Sequence, residues 1–241
     1  MRIYREDDYC AMSRRGADIL AAQLLLRPDS VLGLATGVTP MGMYRELVEK
    51  NHRGELDFSR VRTVNLDEYV GLAPDHEQSY RYFMQRNLFD HVNINPDATH
   101  VPDGRAKCMA AECRRYDQLI EDLGGIDLQV LGIGRNGHIG FNEPGDEFPL
   151  GTHVAELADS TIDANARFFA SRDQVPRKAL SMGIRSIFQA RRILLMVSGR
   201  EKADIVAAAL KGPVTPRVTA SVLQLHPDVI LVGDREALSG L

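Results

Sequence analysis

Five short runs, at residues 31–35, 61–66, 126–133, 192–197 and 228–233, are rich in Val, Ile and Leu, and stretches of helical length separate them. A strand with one face in water alternates apolar and polar residues, whereas these runs are close to continuous, so both of their faces must be covered. Strands of that kind joined by helices form a mainly parallel sheet with helices on each side. The expected fold is therefore α/β, a three-layer αβα arrangement with Rossmann-like topology, and 241 residues fit a single domain spanning 1–241.

Between the strands, apolar spacing predicts helices over 8–26, about 79–91 and about 106–123, a helix opened by Ser198 to Asp204 and running to Leu210, and one helical turn at 221–225. A further helix is expected to run through Val48, capped by Thr39 and carrying Pro40 in its first turn. Residues 152–157 read as another strand, and 178–190 are only weakly periodic. The polar segment within 157–178 is expected to be a mobile cover, or lid.

Charge narrows the function. A net charge of -4 from 29 basic and 33 acidic residues argues against a nucleic-acid surface or a polybasic membrane patch, and no apolar run is long enough to span a bilayer. Cys10, Cys108 and Cys113 form no C-x-x-C pair, and the first residues show no leader pattern, which together suggest a reducing cytoplasm. The expected partner is a small molecule, and the chain is expected to act as a monomer or homo-oligomer.

The densest chemistry follows the 126–133 run. Gly132, Gly134 and Gly137 match the dinucleotide fingerprint G-x-G-x-x-G, with Glu156 near the usual acid position. That fingerprint needs its third glycine to open a helix, but Gly140, Pro144, Gly145, Pro149 and Gly151 follow. Breakers at that spacing exclude a helix of normal length, so no dinucleotide cofactor is expected. The glycines instead let the backbone approach a small ligand.

In open parallel sheets, ligands bind beyond the carboxyl ends of the strands. Four groups fall there: Thr36, Gly37, Val38 and Thr39; Asp67 with Glu68; the loop carrying Asn136, His138 and Glu143; and the stretch from Ser198 to Lys202. A Gly/Thr loop entering a helix suits an anion, since free N–H groups and the helix dipole favour negative charge. From the loop alone, an ordinary capped turn is an equal alternative, just as a lone His or Lys has a structural or solvated reading. Taken jointly, an anion loop, a lysine, a carboxylate and a His with a carboxylate nearby are the parts of proton transfer on a phosphorylated substrate. No His/Cys set has zinc spacing and no Gly-x-Ser-x-Gly elbow occurs, so acid–base chemistry without metal, cofactor or covalent intermediate is expected.

At these positions nearly the whole chain resembles the glucosamine-6-phosphate deaminases, isomerising enzymes of amino-sugar catabolism within the glucosamine/galactosamine-6-phosphate isomerases. The resemblance rests on Leu34-Ala-Thr-Gly-Val-Thr-Pro40, Asn65-Leu-Asp-Glu-Tyr-Val-Gly-Leu72, Gly134-Arg-Asn-Gly-His-Ile-Gly-Phe-Asn-Glu-Pro144, Asn165-Ala-Arg-Phe-Phe169 and Leu223-Gln-Leu-His-Pro227. It implies conversion of glucosamine 6-phosphate and water to fructose 6-phosphate and ammonia. Asp67 would be the base moving a proton from C2 to C1, and His138, oriented by Glu143, would assist ring opening. Gly37 to Thr39 would hold the phosphate with Lys202 and Arg167. Rival readings are a 6-phosphogluconolactonase-like hydrolase on the same scaffold, which should lack the Asn-Leu-Asp-Glu-Tyr motif, and a non-catalytic sugar-phosphate sensor.

The chain departs from the long, allosteric members of that family. They carry Asp where Asn136 stands, so charge support for His138 falls to Glu143, and the basic residues that bind their activator would fall near His153 and Ala155. Short members of the family also tend to carry Asn at that position, and neither His153 nor Ala155 is an Arg or Lys. N-acetylglucosamine 6-phosphate is therefore expected not to activate it; initial-rate curves that change from sigmoidal to hyperbolic on adding that compound would overturn this.

Overall fold

The chain begins on an edge. In the computed structural model, which describes residues 1–241, β1 (Arg2–Glu6) is half-exposed and pairs with the last strand of the chain. Its alternating, charged sequence carries no apolar run, which is why the sequence pattern did not reveal it. Helix α1 (Tyr9–Leu26) follows, capped by Asp8, whose carboxylate accepts the Ala11 N–H at 2.7 Å.

The next elements are β2 (Val31–Leu34), α2 (Val38–His52), β3 (Arg62–Asn65), β4 (Asp67–Tyr69), α3 (Tyr80–Asn87), β5 (Thr99–His100) and α4 (Met109–Asp122). Then come β6 (Leu128–Leu131), β7 (His153–Glu156), α5 (Asp159–Asn165), β8 (Lys178–Ser181), α6 (Ile184–Phe188), β9 (Ile193–Val197), α7 (Ala203–Lys211) and β10 (Val229–Asp234). Short 3-10 turns include Phe89–His91, Ala166–Phe168, Arg200–Lys202 and Thr219–Leu225.

Seven strands form one parallel sheet in the order β1-β10-β9-β6-β2-β3-β5, flanked by helices as expected. From β2 the chain proceeds one way through β3 to β5, then returns to the other side of β2 for β6, β9 and β10. The strand order thus reverses between β2 and β6, the place where such sheets leave a crevice. β2, β6 and β9 are buried along their whole length. Each fully buried Val, Leu or Ile contributes about 1.5–3 kcal/mol. At the switch point Asp127 ties the strands together: its carboxylate accepts the Val31 N–H at 2.8 Å and pairs with Arg27 and Arg191.

A second, antiparallel sheet, β4-β8-β7, was not foreseen beyond the strand at β7. β8 lies in the weakly periodic stretch, and β4 is three residues of mostly charged sequence. Thr39 is also corrected. Gly37 occupies the cap of α2 with φ 90°, and Thr39 is the second helical residue with no capping bond. The helix starts a turn-position earlier because Gly37 reaches a positive φ without strain, whereas Thr39 cannot cap a turn it already belongs to. Pro40 does stand in the first turn. The helix expected over 79–91 stops at Asn87 and continues only as the 3-10 turn.

Most apolar side chains join one core around the parallel sheet. A smaller cluster, Tyr69, Phe141, Ala155, Leu157, Ile162, Val175 and Ala179, lies between the second sheet and the segment that follows β7. No helix is long and apolar enough to cross a membrane.

Candidate active site

Four adjacent strands, β9, β6, β2 and β3, deliver their C-terminal ends to one cleft of about 750 Å³. Thr36, Gly37, Val38 and Thr39 line it after β2, and Asp67 after β3. Asn136 and His138 follow β6, Lys202 follows β9, and Arg167 enters from the segment after β7. Glu143 stands behind His138. These ten residues therefore converge, with Ser198 also on the lining; Glu68, named beside Asp67 in the sequence, turns to the start of α3 instead.

Asp67 sits where the chain leaves the parallel sheet. Leu66 still donates its N–H to Leu34 O at 3.1 Å and accepts from Met182 N at 2.7 Å, and the next residue opens β4, opposite Ser181. The carboxyl is 6% exposed and accepts no hydrogen bond from the protein. Burial, reinforced by the neighbouring charge of Glu68, pushes its pKa up to about 8. Glu68 is just as buried but satisfied: it accepts the N–H groups of Tyr69, Tyr80 and Arg81 at 2.8–2.9 Å, anchoring the start of α3 to β4. Gly140, beside Asp67, has φ 56°, a conformation that favours glycine.

His138 is held by a small network. Its Nδ1 is 3.3 Å from Glu143 Oε2, and the same oxygen accepts Asn136 Nδ2–H at 2.6 Å. Asn136 Oδ1 in turn accepts the His138 backbone N–H at 3.2 Å. The other oxygen of Glu143 accepts the Thr161 hydroxyl at 2.6 Å. Burial works to raise the Glu143 carboxyl, but the bonds and charge of His138, with Thr161 and Asn136, bring it down to about 2. Asn136 is thus a neutral brace between imidazole and carboxylate. Gly134 is required beside the ring, because a Cβ would come within 2.4 Å of it.

The cleft also carries four cationic side chains, Arg45, Arg135, Arg167 and Lys202. Lys202 caps α7 and donates to Ile133 O at 2.6 Å. Burial lowers its pKa to about 8 against the pull of Glu201, with Arg135 and Arg167 adding repulsion. A bound anion would relieve that repulsion and restore full charge. The free N–H groups of the first turn of α2 face the same region. No cluster of three or more His, Cys, Asp or Glu side chains is spaced for a metal ion.

The segment over 157–178 borders the cleft through α5 and its following turn. Phe169 packs edge-on against Tyr69 at 5.9 Å between centroids, and Tyr69 also meets Tyr80 at 4.8 Å and Phe141 at 5.8 Å. Thr161 in this segment, Arg45 on α2 and Tyr9 on α1 line the cleft without having been identified in the sequence. Nothing could have marked Thr161 or Tyr9, whose partners lie 18 and 29 positions away. The basic residue two turns into α2 was the one available signal for Arg45. Glu156, the acid that fitted the dinucleotide pattern, is on β7 paired with Lys178, and no helix follows Gly137.

The family profile described as glucosamine-6-phosphate isomerases/6-phosphogluconolactonase matches residues 10–230. A protein of Lachnoclostridium phytofermentans named glucosamine-6-phosphate deaminase is 57% identical over 96% of this chain and 98% of its own length. One of the same name from Clostridioides difficile is 55% identical over 100% and 97%. Among solved structures, one described as a monomeric glucosamine-6-phosphate deaminase superposes with a TM-score of 0.98 at 47% identity, covering all of both chains. A 6-phosphogluconolactonase from Trypanosoma brucei superposes at 0.76 with 17% identity over 100% of this chain and 98% of its own, a likeness of fold.

The Asp67 pKa has a consequence for stability. A carboxyl whose folded value, about 8, exceeds its unfolded value of roughly 4 contributes stability below the lower value. That contribution is lost as pH rises through the higher one. Asp67→Asn cannot ionise, so its urea-unfolding free energy should gain on the wild type steadily from acid to alkaline pH. An offset that stays constant across that range would show that burial does not hold the proton on Asp67.

Proposed function

The chain belongs to the glucosamine-6-phosphate isomerase/6-phosphogluconolactonase family, and within it we propose that the protein is an isomerising glucosamine-6-phosphate deaminase. The observation that carries this reading is one cleft lined by a nearly buried carboxyl without a hydrogen-bond partner, a His backed by Glu143, and a helix N-terminus among cationic side chains. Relatives more than 50% identical over nearly their full length bear that name.

The phosphate binds the amides of Gly37, Val38 and Thr39, with Lys202 as a point charge and Arg167 able to grip two oxygens. Anchored there, the sugar extends toward Asp67 and His138. His138 takes the proton of the C1 hydroxyl and returns one to the ring oxygen, which opens the ring to the aldehyde. Glu143 fixes the tautomer and stabilises the imidazolium. Asp67 then removes the C2 proton, leaving an enediol-type intermediate that carries nitrogen at C2, and delivers a proton to C1. The resulting C2 imine is attacked by water, the C–N bond breaks, and ammonia leaves with fructose 6-phosphate behind. A pKa near 8 lies close to neutral pH, so a fraction of Asp67 is ionised to take the C2 proton, and its conjugate acid holds that proton for delivery to C1.

The segment over 157–178 acts as a cover in this reading. Thr161 links it to Glu143, and Arg167 brings charge with it, so closure over the sugar phosphate completes both ends of the site.

Incubation with glucosamine 6-phosphate should yield ammonia and fructose 6-phosphate in equal amounts. Asp67→Asn should reduce kcat by at least about a hundredfold, the usual scale of a lost general base, and abolish exchange of the C2 hydrogen with solvent. Retained exchange would remove Asp67 from the role of base. Hydrolysis of 6-phosphogluconolactone without ammonia release from the amino sugar would overturn the assignment.

A further inference from the structure

We propose that Tyr9 is a positioning residue for the anion site, its hydroxyl bracing and polarising the first turn of α2; the inference rests on reading that turn as the phosphate site. Tyr9 is the first residue of α1 and lines the cleft. Its oxygen accepts the Gly42 N–H at 2.8 Å and donates to Val38 O at 2.8 Å. Those two groups stand in i to i−4 relation, the second such pair of α2 counted from its cap Gly37. One phenol from a separate helix therefore brackets the turn.

The close approach is built into both helices. A Cβ at Gly42 would lie 2.2 Å from Ser13 Oγ and 3.0 Å from Tyr9 Cε1, so α1 reaches this depth only where α2 has no side chain. The turn needs an external brace because its cap, Gly37, has no side chain to bond the free amides, and Val38 is exposed and Thr39 only half-buried.

The chemistry follows from the peptide unit concerned. Val38 C=O and Thr39 N–H belong to the same amide, and a hydrogen bond accepted by the carbonyl strengthens the N–H as a donor. Thr39 N–H is among the helix donors left without an intrahelical acceptor. The Tyr9 proton is committed to Val38 O, which leaves only a lone pair toward the cleft. Tyr9 therefore acts on a bound phosphate through the turn and not by contact. A neutral phenol does this without placing charge beside the anion.

Tyr9→Phe in the full chain keeps the ring and deletes the bracket. The dissociation constant for inorganic phosphate, by calorimetry, and KM for glucosamine 6-phosphate should both rise about fivefold, equivalent to one neutral hydrogen bond, with kcat unchanged. The Thr39 amide resonance should shift upfield in the ligand-free protein, a readout that a simple loss of stability would not move. Unchanged phosphate affinity and KM, or a fall in kcat with KM unchanged, would overturn the proposal. A wild-type chain that binds phosphate yet releases no ammonia would sink the substrate assignment alone, and the phosphate comparison would still decide Tyr9.

Discussion

The structure turns on a nearly buried carboxyl group that faces the cleft and receives no hydrogen bond from the protein. Asp67 and Glu68 are neighbours in one short strand and almost equally buried. Glu68 is compensated by three backbone N–H groups and becomes part of the scaffold. Asp67 receives none, so its ionised form is disfavoured and its proton affinity rises. The difference comes from the pleat, which sends successive side chains to opposite faces of the strand. One faces the start of α3 and the other faces the cleft.

Much of the irregular architecture serves that placement. The second sheet catches the chain as it leaves β3 and fixes β4 against β8. The loop after β6 is bound to the same region through Phe141 N–H to Ser181 Oγ at 3.0 Å and Asn142 Nδ2–H to Met182 O at 2.9 Å. Gly140 turns the loop beside the acid through a positive φ, and Gly134 leaves room beside the imidazole. Of the three glycines that imitate a dinucleotide fingerprint, Gly134 is explained by the His138 ring and Gly137 by its φ of 90° and the nearby Val218 side chain. The same loop carries Asn136, which holds Glu143 and the His138 backbone at once and so fills its position without charge.

The central strands were legible because burial on both faces leaves a continuous apolar run, and the convergence of sites followed from sheet topology. The active loops were legible through unusual local composition, such as Asp-Glu-Tyr after a strand or five glycines around a His. What was hidden depends on distant partners. β1 is an exposed edge whose charges mask its pairing, β8 gains its meaning from β4 and β7, and Thr39 yields the cap to Gly37 through a backbone angle that composition does not encode. Tyr9 and Thr161 are ordinary residues in their own segments, and only the folded chain brings their hydroxyls to Val38 and Glu143.

The central claim is that burial keeps Asp67 protonated well above the carboxylate range. Carboxyl carbon NMR of the ligand-free protein, with Asp67 assigned by difference from Asp67→Asn, measures this directly. The account predicts a titration with its midpoint near pH 8. A resonance already in the ionised position at about pH 5, just above the ordinary range for Asp, would contradict it.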